Sequence, residues 1–165
     1  RLFAAIPERY ERLRALAQQT AARPRVMLNT PYRDTWFMPA RNSYMVRLLE
    51  DAGARYVFEE NTATQTLPID IEQAYYLTSK SDFWLNVSGC NTLDEVRRQN
   101  PRLADTPPVR EGRVYDNNRR RHAAGGSDFW ESGVLRPDRV LADLVHIFHP
   151  ELSETDELYY YRQLE

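Results

Sequence analysis

The chain has 165 residues, 42% of them apolar, with ten Tyr, three Trp and a formal charge of −2. That length suits one domain with a sizeable core, and the composition excludes intrinsic disorder. The near-balance of charge excludes a globally basic binder of nucleic acid or anionic membrane. The lone Cys90 excludes a disulfide framework or a cysteine-rich zinc site, and no apolar run is long enough to cross a bilayer.

The chain starts at Arg1 without Met or a signal-like apolar region, in what reads as a helix already under way, so a preceding segment is expected. Phe3, Ile6, Tyr10, Leu13 and Leu16 recur at helical spacing, and Pro7 should start or kink the helix, whose main body is expected from Pro7 to Ala22. Arg25 to Asn29 (RVMLN) reads as a short buried strand, and the aromatic, turn-rich segment Tyr32 to Arg41 reads as a loop. Asn42 is placed to cap a helix from Ser43 to Ala52 with Tyr44, Leu48 and Leu49 facing inward, and Gly53 sits where a left-handed C-terminal cap is needed. Arg55 to Phe58 is a second strand.

Asp70 with Gln73 forms a capping-box variant that opens a helix to about Thr78 and puts Glu72 in its exposed first turn. Phe83 to Val87 (FWLNV) is the strongest strand, with Trp84 assigned to the core. Thr92 and Glu95 form a capping box for a helix to about Asn100. Pro107-Pro108 and Glu111-Gly112 punctuate the approach to a last strand, Arg113 to Tyr115, and Asp116 to Ser127 is a polar loop. Pro137 opens a closing helix whose Val140, Leu141, Leu144, Val145 and Phe148 share one face, and His149-Pro150 ends it.

Short apolar strands alternating with capped helices predict an α/β fold, a three-layer α/β/α sandwich with a mostly parallel central sheet. In such sheets ligands gather at the carboxyl ends of the strands. The loops that follow strands carry Tyr32, Arg33, Trp36, Phe37, Asn91, Arg119, Arg120, Arg121 and His122, which are the candidate ligand-binding residues. Flat aromatics beside guanidinium groups suit a large planar or carboxylate-bearing ligand through stacking and paired hydrogen bonds.

The segment Gly112-Arg113-Val114-Tyr115, followed by a closing helix that ends in His149-Pro150-Glu151, resembles the end of a class III periplasmic substrate-binding protein. The stretches TWFMPARNSYMVRLLEDAGARYVF and LPIDIEQAY resemble further segments of that family in the same order. The resemblance implies a connecting helix over residues 1–22 and the C-terminal lobe of a bilobal protein over 23–165. It implies an ABC transporter component that captures an iron-siderophore, haem or cobalamin, with no covalently bound cofactor. Its partners would be the permease subunits, the missing N-terminal lobe of the same protein and the small-molecule metal chelate. Its location would be the periplasm or a lipoprotein anchor facing it. By the same comparison Glu72 matches the acidic residue that docks on the transporter, and closure of the lobes about a long helix would be small. Pro39-Ala40-Arg41 stands where relatives often carry glycines, which bears on how closely that loop approaches ligand.

Other chemistries find less support. The chain lacks GxSxG, P-loop, GxGxxG, HExxH and CxxC signatures, so no enzyme is expected. The alternative enzyme reading is a Cys90 thiol with His122 as a distant base. A second alternative, a nucleic-acid module, rests on Arg119 to Arg121 neutralising phosphates, which a chain of net negative charge supports poorly. His146 and His149 have no third ligand in sequence, so no metal site is expected.

Overall fold

Runs of β-branched and aromatic residues closed by turn formers become strands, and capped amphipathic runs become helices, across the residues that the computed structural model describes, 2–120 and 126–165. In chain order these are α1 (Leu2–Gln18), β1 (Arg25–Leu28), β2 (Trp36–Met38), α2 (Tyr44–Asp51), β3 (Arg55–Tyr56), β4 (Leu67–Ile69), α3 (Ile71–Ser79), β5 (Phe83–Leu85), α4 (Leu93–Gln99), α5 (Pro107–Arg110), β6 (Val114–Asp116), α6 (Ser132–Leu135), α7 (Pro137–Phe148) and β7 (Arg162–Gln163).

The main sheet has the order β3-β1-β5-β6-β7, parallel except for β7, which pairs antiparallel with β6. Val26, Met27 and Leu28 face Phe83, Trp84 and Leu85 across the β1–β5 pair. All but Phe83 are buried, as expected of parallel strands covered on both faces. The chain winds from β1 outward to β3 on one side and to β5 and β6 on the other. Right-handed crossovers in opposite directions put their helices on opposite faces. Accordingly α1, α2 and α7 pack together, while α3 packs on α5 and, like α4, on a 3-10 turn at Pro101–Leu103. The strand order reverses between β1 and β5, where a crevice opens at the carboxyl edge.

Local signals set most helix ends. Asp70 accepts from Gln73 N at 2.8 Å and Thr92 accepts from Glu95 N at 3.1 Å, while the Glu95 carboxylate reaches back to Asn91 N. Ser43, rather than Asn42, caps α2 by accepting from Val46 N. That one-residue shift turns the buried face to Val46, Leu48 and Leu49 and leaves Tyr44 exposed. Gly53 follows with φ +82°, and a Cβ there would lie 2.7 Å from His149 Nε2, which bonds Gly53 O. Pro7 sits inside α1, which ends at Gln18 and not Ala22. The helix passes through because its buried Ile6, Leu13 and Ala17 offset the lost backbone bond.

Other departures come from distant partners. The Tyr32–Arg41 loop contains β2, held antiparallel to β4 with Trp36 opposite Ile69 and Phe37 opposite Pro68. Pro107-Pro108 start α5 instead of only breaking the chain. β7 reaches the sheet edge because the buried Asp143 carboxylate accepts from the backbone N–H groups of Tyr159, Tyr160 and Tyr161 at 2.8, 2.6 and 3.0 Å. Burial raises its carboxyl above the usual range despite those bonds. Charges clamp α1 to this body. Arg9 bonds the buried Asp138 at 3.0 Å, Arg136 bonds it at 2.9 Å, Arg9 and Arg12 reach Glu154, and Tyr10 donates to Asp51. Burial alone would raise the Asp138 carboxyl, but both guanidinium groups hold it down at about 2.

Candidate functional site

β1 and β5 end alike. Each is followed by an asparagine with left-handed backbone, Asn29 at φ 73° and Asn86 at φ 65°, a conformation that Asn tolerates better than most residues. Asn29 N donates to Leu85 O and Asn86 N donates to Tyr115 O, both at 3.0 Å, so the ladder continues one residue past the strands while the chain turns away. Asn86 Oδ1 accepts from Tyr161 Oη at 2.8 Å and from Asn117 Nδ2 at 3.3 Å. Asn29 Nδ2 donates to Phe37 O at 2.9 Å.

These asparagines floor a cleft of about 200 Å³ at the carboxyl edge of β1, β5 and β6, with Thr30 and Ser88 on its sides. Tyr32, Phe37 and Trp130 line it as aromatic walls, and Tyr32 is 68% and Trp130 65% exposed. A second cavity of about 250 Å³ adjoins it through Asn29, Asn86 and Trp130 and is walled by Phe129 and Val140. The cleft combines amides, hydroxyls and the buried Asp116 carboxylate below with flat apolar surfaces above, which suits a planar ligand lying against aromatic faces.

The structure sorts the residues expected from sequence. Tyr32 and Phe37 stand on the cleft, and the Arg33 guanidinium lies 5.4 Å from the Tyr32 ring centroid. Trp36, expected at the ligand, is 2% exposed. It stacks on Trp84 at 5.8 Å and donates to Leu28 O, while Trp84 donates to Asn29 O. Alternation along β2 explains the difference, since Trp36 and Phe37 point to opposite faces. Asn91 lies apart from the cleft lining and ties the C-terminal segment down, its Oδ1 accepting from Asn118 and Arg162. Arg119 is exposed, with its N–H on Tyr160 O. Arg120 stacks at 3.8 Å over Tyr159, whose ring also carries Arg139 at 4.4 Å, so its flat face is already covered. Arg121 and His122 lie outside the described residues.

Glu72 occupies the first turn of α3 and is exposed, paired with Arg102, whose guanidinium lies 4.9 Å over Tyr75. Cys90 is buried, and burial pushes its thiol up, followed by the nearby Glu95 and Asp116 carboxylates. Its sulfur contacts Gln99 Oε1, an arrangement that favours the thiol over a nucleophilic thiolate. His146 is bonded to Ser153 and His149 to Gly53 O, and no group of three or more metal-ligating side chains occurs among the described residues.

Asn29, Thr30, Asn86, Ser88, Asn117 and Trp130 were not singled out by sequence reasoning. A signal was present for two of them: Met27-Leu28-Asn29 and Trp84-Leu85-Asn86 end two adjacent strands with the same Leu-Asn pair.

The family model for periplasmic binding proteins matches residues 1–119. An uncharacterized lipoprotein of Methanocaldococcus jannaschii is 27% identical over 131 residues, a match covering 78% of this chain and 30% of the lipoprotein. A periplasmic heme-binding protein of Pseudomonas aeruginosa superimposes with a TM-score of 0.67 at 21% identity, covering 96% of this chain and 55% of that one. The periplasmic heme-binding protein RhuT of Roseiflexus sp. RS-1, in apo form, gives a TM-score of 0.67 at 20% identity, over 91% of this chain and 55% of that one. The chain thus spans about half the length of these solved relatives and under a third of the lipoprotein. The solved structures share its α/β fold, and the matched family and fold neighbours are binding proteins rather than enzymes.

Proposed function

The chain belongs to the periplasmic binding protein family, and on that premise we propose that it is the C-terminal lobe, with its connecting helix, of a bilobal solute receptor. The receptor captures haem, another iron chelate or a corrinoid and delivers it to the permease of an ABC importer. One observation carries this reading: a polar-floored, aromatic-walled cleft of about 200 Å³ opens at the switch point of the sheet in a chain half as long as its solved relatives. That volume lies below the 300–1,000 Å³ typical of small-molecule pockets, as befits half a site. A first lobe supplies the other half.

The geometry supports a division of labour. Tyr32, Phe37 and Trp130 present flat faces to a macrocycle or chelate, the asparagine floor hydrogen-bonds its edge, and Arg33 stands behind Tyr32 to meet an acidic substituent. The ion pairs of α1 with Asp138 and Glu154 bind the connecting helix to this lobe, so closure turns the first lobe against a rigid helix-and-lobe unit. Glu72 is the docking residue for the permease. The lipoprotein relative supports a place outside the cytoplasmic membrane.

The test is to express the full-length polypeptide and titrate haemin, a ferric siderophore and cobalamin separately, following visible absorbance and Trp fluorescence. Saturable binding of one of them, weakened by Tyr32→Ala and Trp130→Ala, is expected. Absence of binding to all three refutes the reading. Glu72→Ala should leave that binding intact and weaken association with the reconstituted importer.

A further inference from the structure

The C-terminal segment carries a second polar cluster, outside the lining of the cleft, that the chelate-binding reading does not use. The half-buried ring of Tyr159 holds two guanidinium groups, Arg120 with its central carbon 3.8 Å from the ring centroid and Arg139 at 4.4 Å. Such stacking covers the flat face of a guanidinium and leaves its N–H edge outward. Arg9, Arg12 and Arg136 are each paired with Asp138 or Glu154. Neither Arg120 nor Arg139 has a side-chain ion pair or hydrogen bond among the described residues, and the Tyr159 hydroxyl has no hydrogen bond there. Two like charges are thus gathered on one ring, and an anion placed between their edges relieves the repulsion.

The spacing sets the kind of anion. The two guanidinium carbons are at most 8.2 Å apart, the sum of their distances to the centroid. A guanidinium bonded to a phosphate oxygen at about 2.8 Å has its carbon roughly 4 Å from phosphorus, so one tetrahedral oxyanion reaches both. A carboxylate keeps its oxygens in one plane and matches a single guanidinium fork. Beside the ring lies a cavity of about 260 Å³ lined by Arg9, Arg139, Thr155 and Tyr159, together with Asp143 and Glu157. Asp143 turns its oxygens to the N–H groups of Tyr159, Tyr160 and Tyr161, which leaves Glu157 as the carboxylate opposing an anion there.

We propose that Arg120, Arg139 and the Tyr159 hydroxyl form a binding site for a phosphate group, independent of what the cleft binds. The two guanidinium edges grip the oxyanion, and the phenol donates a third bond. Stacking on Tyr159 orders both arginines before the anion arrives, which lowers the cost of binding. The bound anion joins the loop after β6, α7 and the C-terminal segment. The same contacts serve a free phosphate and one carried on a lipid head group.

The test titrates the full-length polypeptide with inorganic phosphate by calorimetry at constant ionic strength, with acetate as the control anion. Saturable phosphate binding is expected with a Kd of about 1 mM or tighter, and acetate should bind at least about tenfold more weakly. Arg120→Ala and Arg139→Ala should each weaken phosphate binding about tenfold, and Tyr159→Phe about threefold. Tyr159→Phe keeps the ring and the backbone bond to Asp143, so it reads the site even where an arginine variant fails to fold. Glu157→Gln should tighten binding about twofold. Vesicles separate the two sources: co-sedimentation with phosphatidylglycerol that Arg120→Ala lowers assigns the phosphate to a lipid, and binding of inorganic phosphate without it assigns the phosphate to solution. Failure of both to bind, equal binding of acetate, or folded variants that bind phosphate as the parent does overturns the proposal. Loss of haemin affinity in Arg120→Ala would place these arginines in the chelate site and overturns it as well.

Discussion

The face where α1 meets α7 and the carboxyl edge of the sheet both carry clustered polar groups, but they use different chemistry. Between the helices the groups are charged and answered within the chain: Asp138 takes bonds from Arg9 and Arg136, and Glu154 takes Arg9 and Arg12. At the sheet edge they are mostly neutral amides and hydroxyls around one buried carboxylate, Asp116, and Asn86 bonds through its carbonyl while its amide nitrogen has no bond among the described residues. A buried charge must be paired within the fold or it opposes folding. A neutral amide at the floor of an open cleft is tolerated half-satisfied and keeps donors for a ligand. The first region holds the molecule together, and the second stays available.

Substitutions test this contrast, beginning with the strongest. Asp143→Ala strands the N–H groups of Tyr159, Tyr160 and Tyr161 and should cost about 4 kcal/mol in urea denaturation, at about 1–3 kcal/mol per unmet buried group. A loss below about 1 kcal/mol would mean that the C-terminal segment is not anchored by this carboxylate. Asp138→Asn should cost about 2 kcal/mol near neutral pH. Because the folded carboxyl is held at about 2, below its ordinary 3.8, that contribution is complete above the ordinary value and fades as pH falls toward 2. Stability curves of the parent and variant should therefore converge in acid; a gap independent of pH would assign the loss to packing.

The cleft should respond more weakly in stability. Asn86→Ala removes the acceptor of Tyr161 Oη and Asn117, and a loss of about 1 kcal/mol is expected in the same denaturation. Tyr32→Ala, at an exposed ring, should change stability by less than about 0.5 kcal/mol while lowering chelate affinity about tenfold. If Tyr32→Ala destabilised the fold as much as Asp138→Asn, the separation between holding and binding regions would collapse.

Legibility in the sequence followed the range of the interaction. Asp70, Thr92 and Gly53 act on backbone groups a few residues away, and the structure has them in the expected roles. The α7 face of Val140, Leu141, Leu144, Val145 and Phe148 is buried as its spacing implies. The ribbon of β2 and β4 and the short edge strand β7 were not legible, since each exists only through a partner far along the chain. At the site, Tyr32 and Phe37 were legible as exposed aromatics in a loop after a strand. Trp36 was misassigned because its neighbour in the fold, Trp84, is 48 residues away by number (84 − 36) and gives it a stacking surface that no local pattern announces. The stacking of Arg120 was not legible for the same reason, its partner Tyr159 arriving from the C-terminal segment.

The amino-acid sequence by itself determined where helices start and stop, which strands are buried on both faces, and the α/β class that follows, because caps, turns and periodicity operate within a few residues. Only the tertiary structure decided which asparagines share one floor, which arginines are already stacked, and that an apolar cavity adjoins the cleft. Those facts depend on which faces of distant segments meet, and that is set by burying the whole core at once, not by any stretch of it.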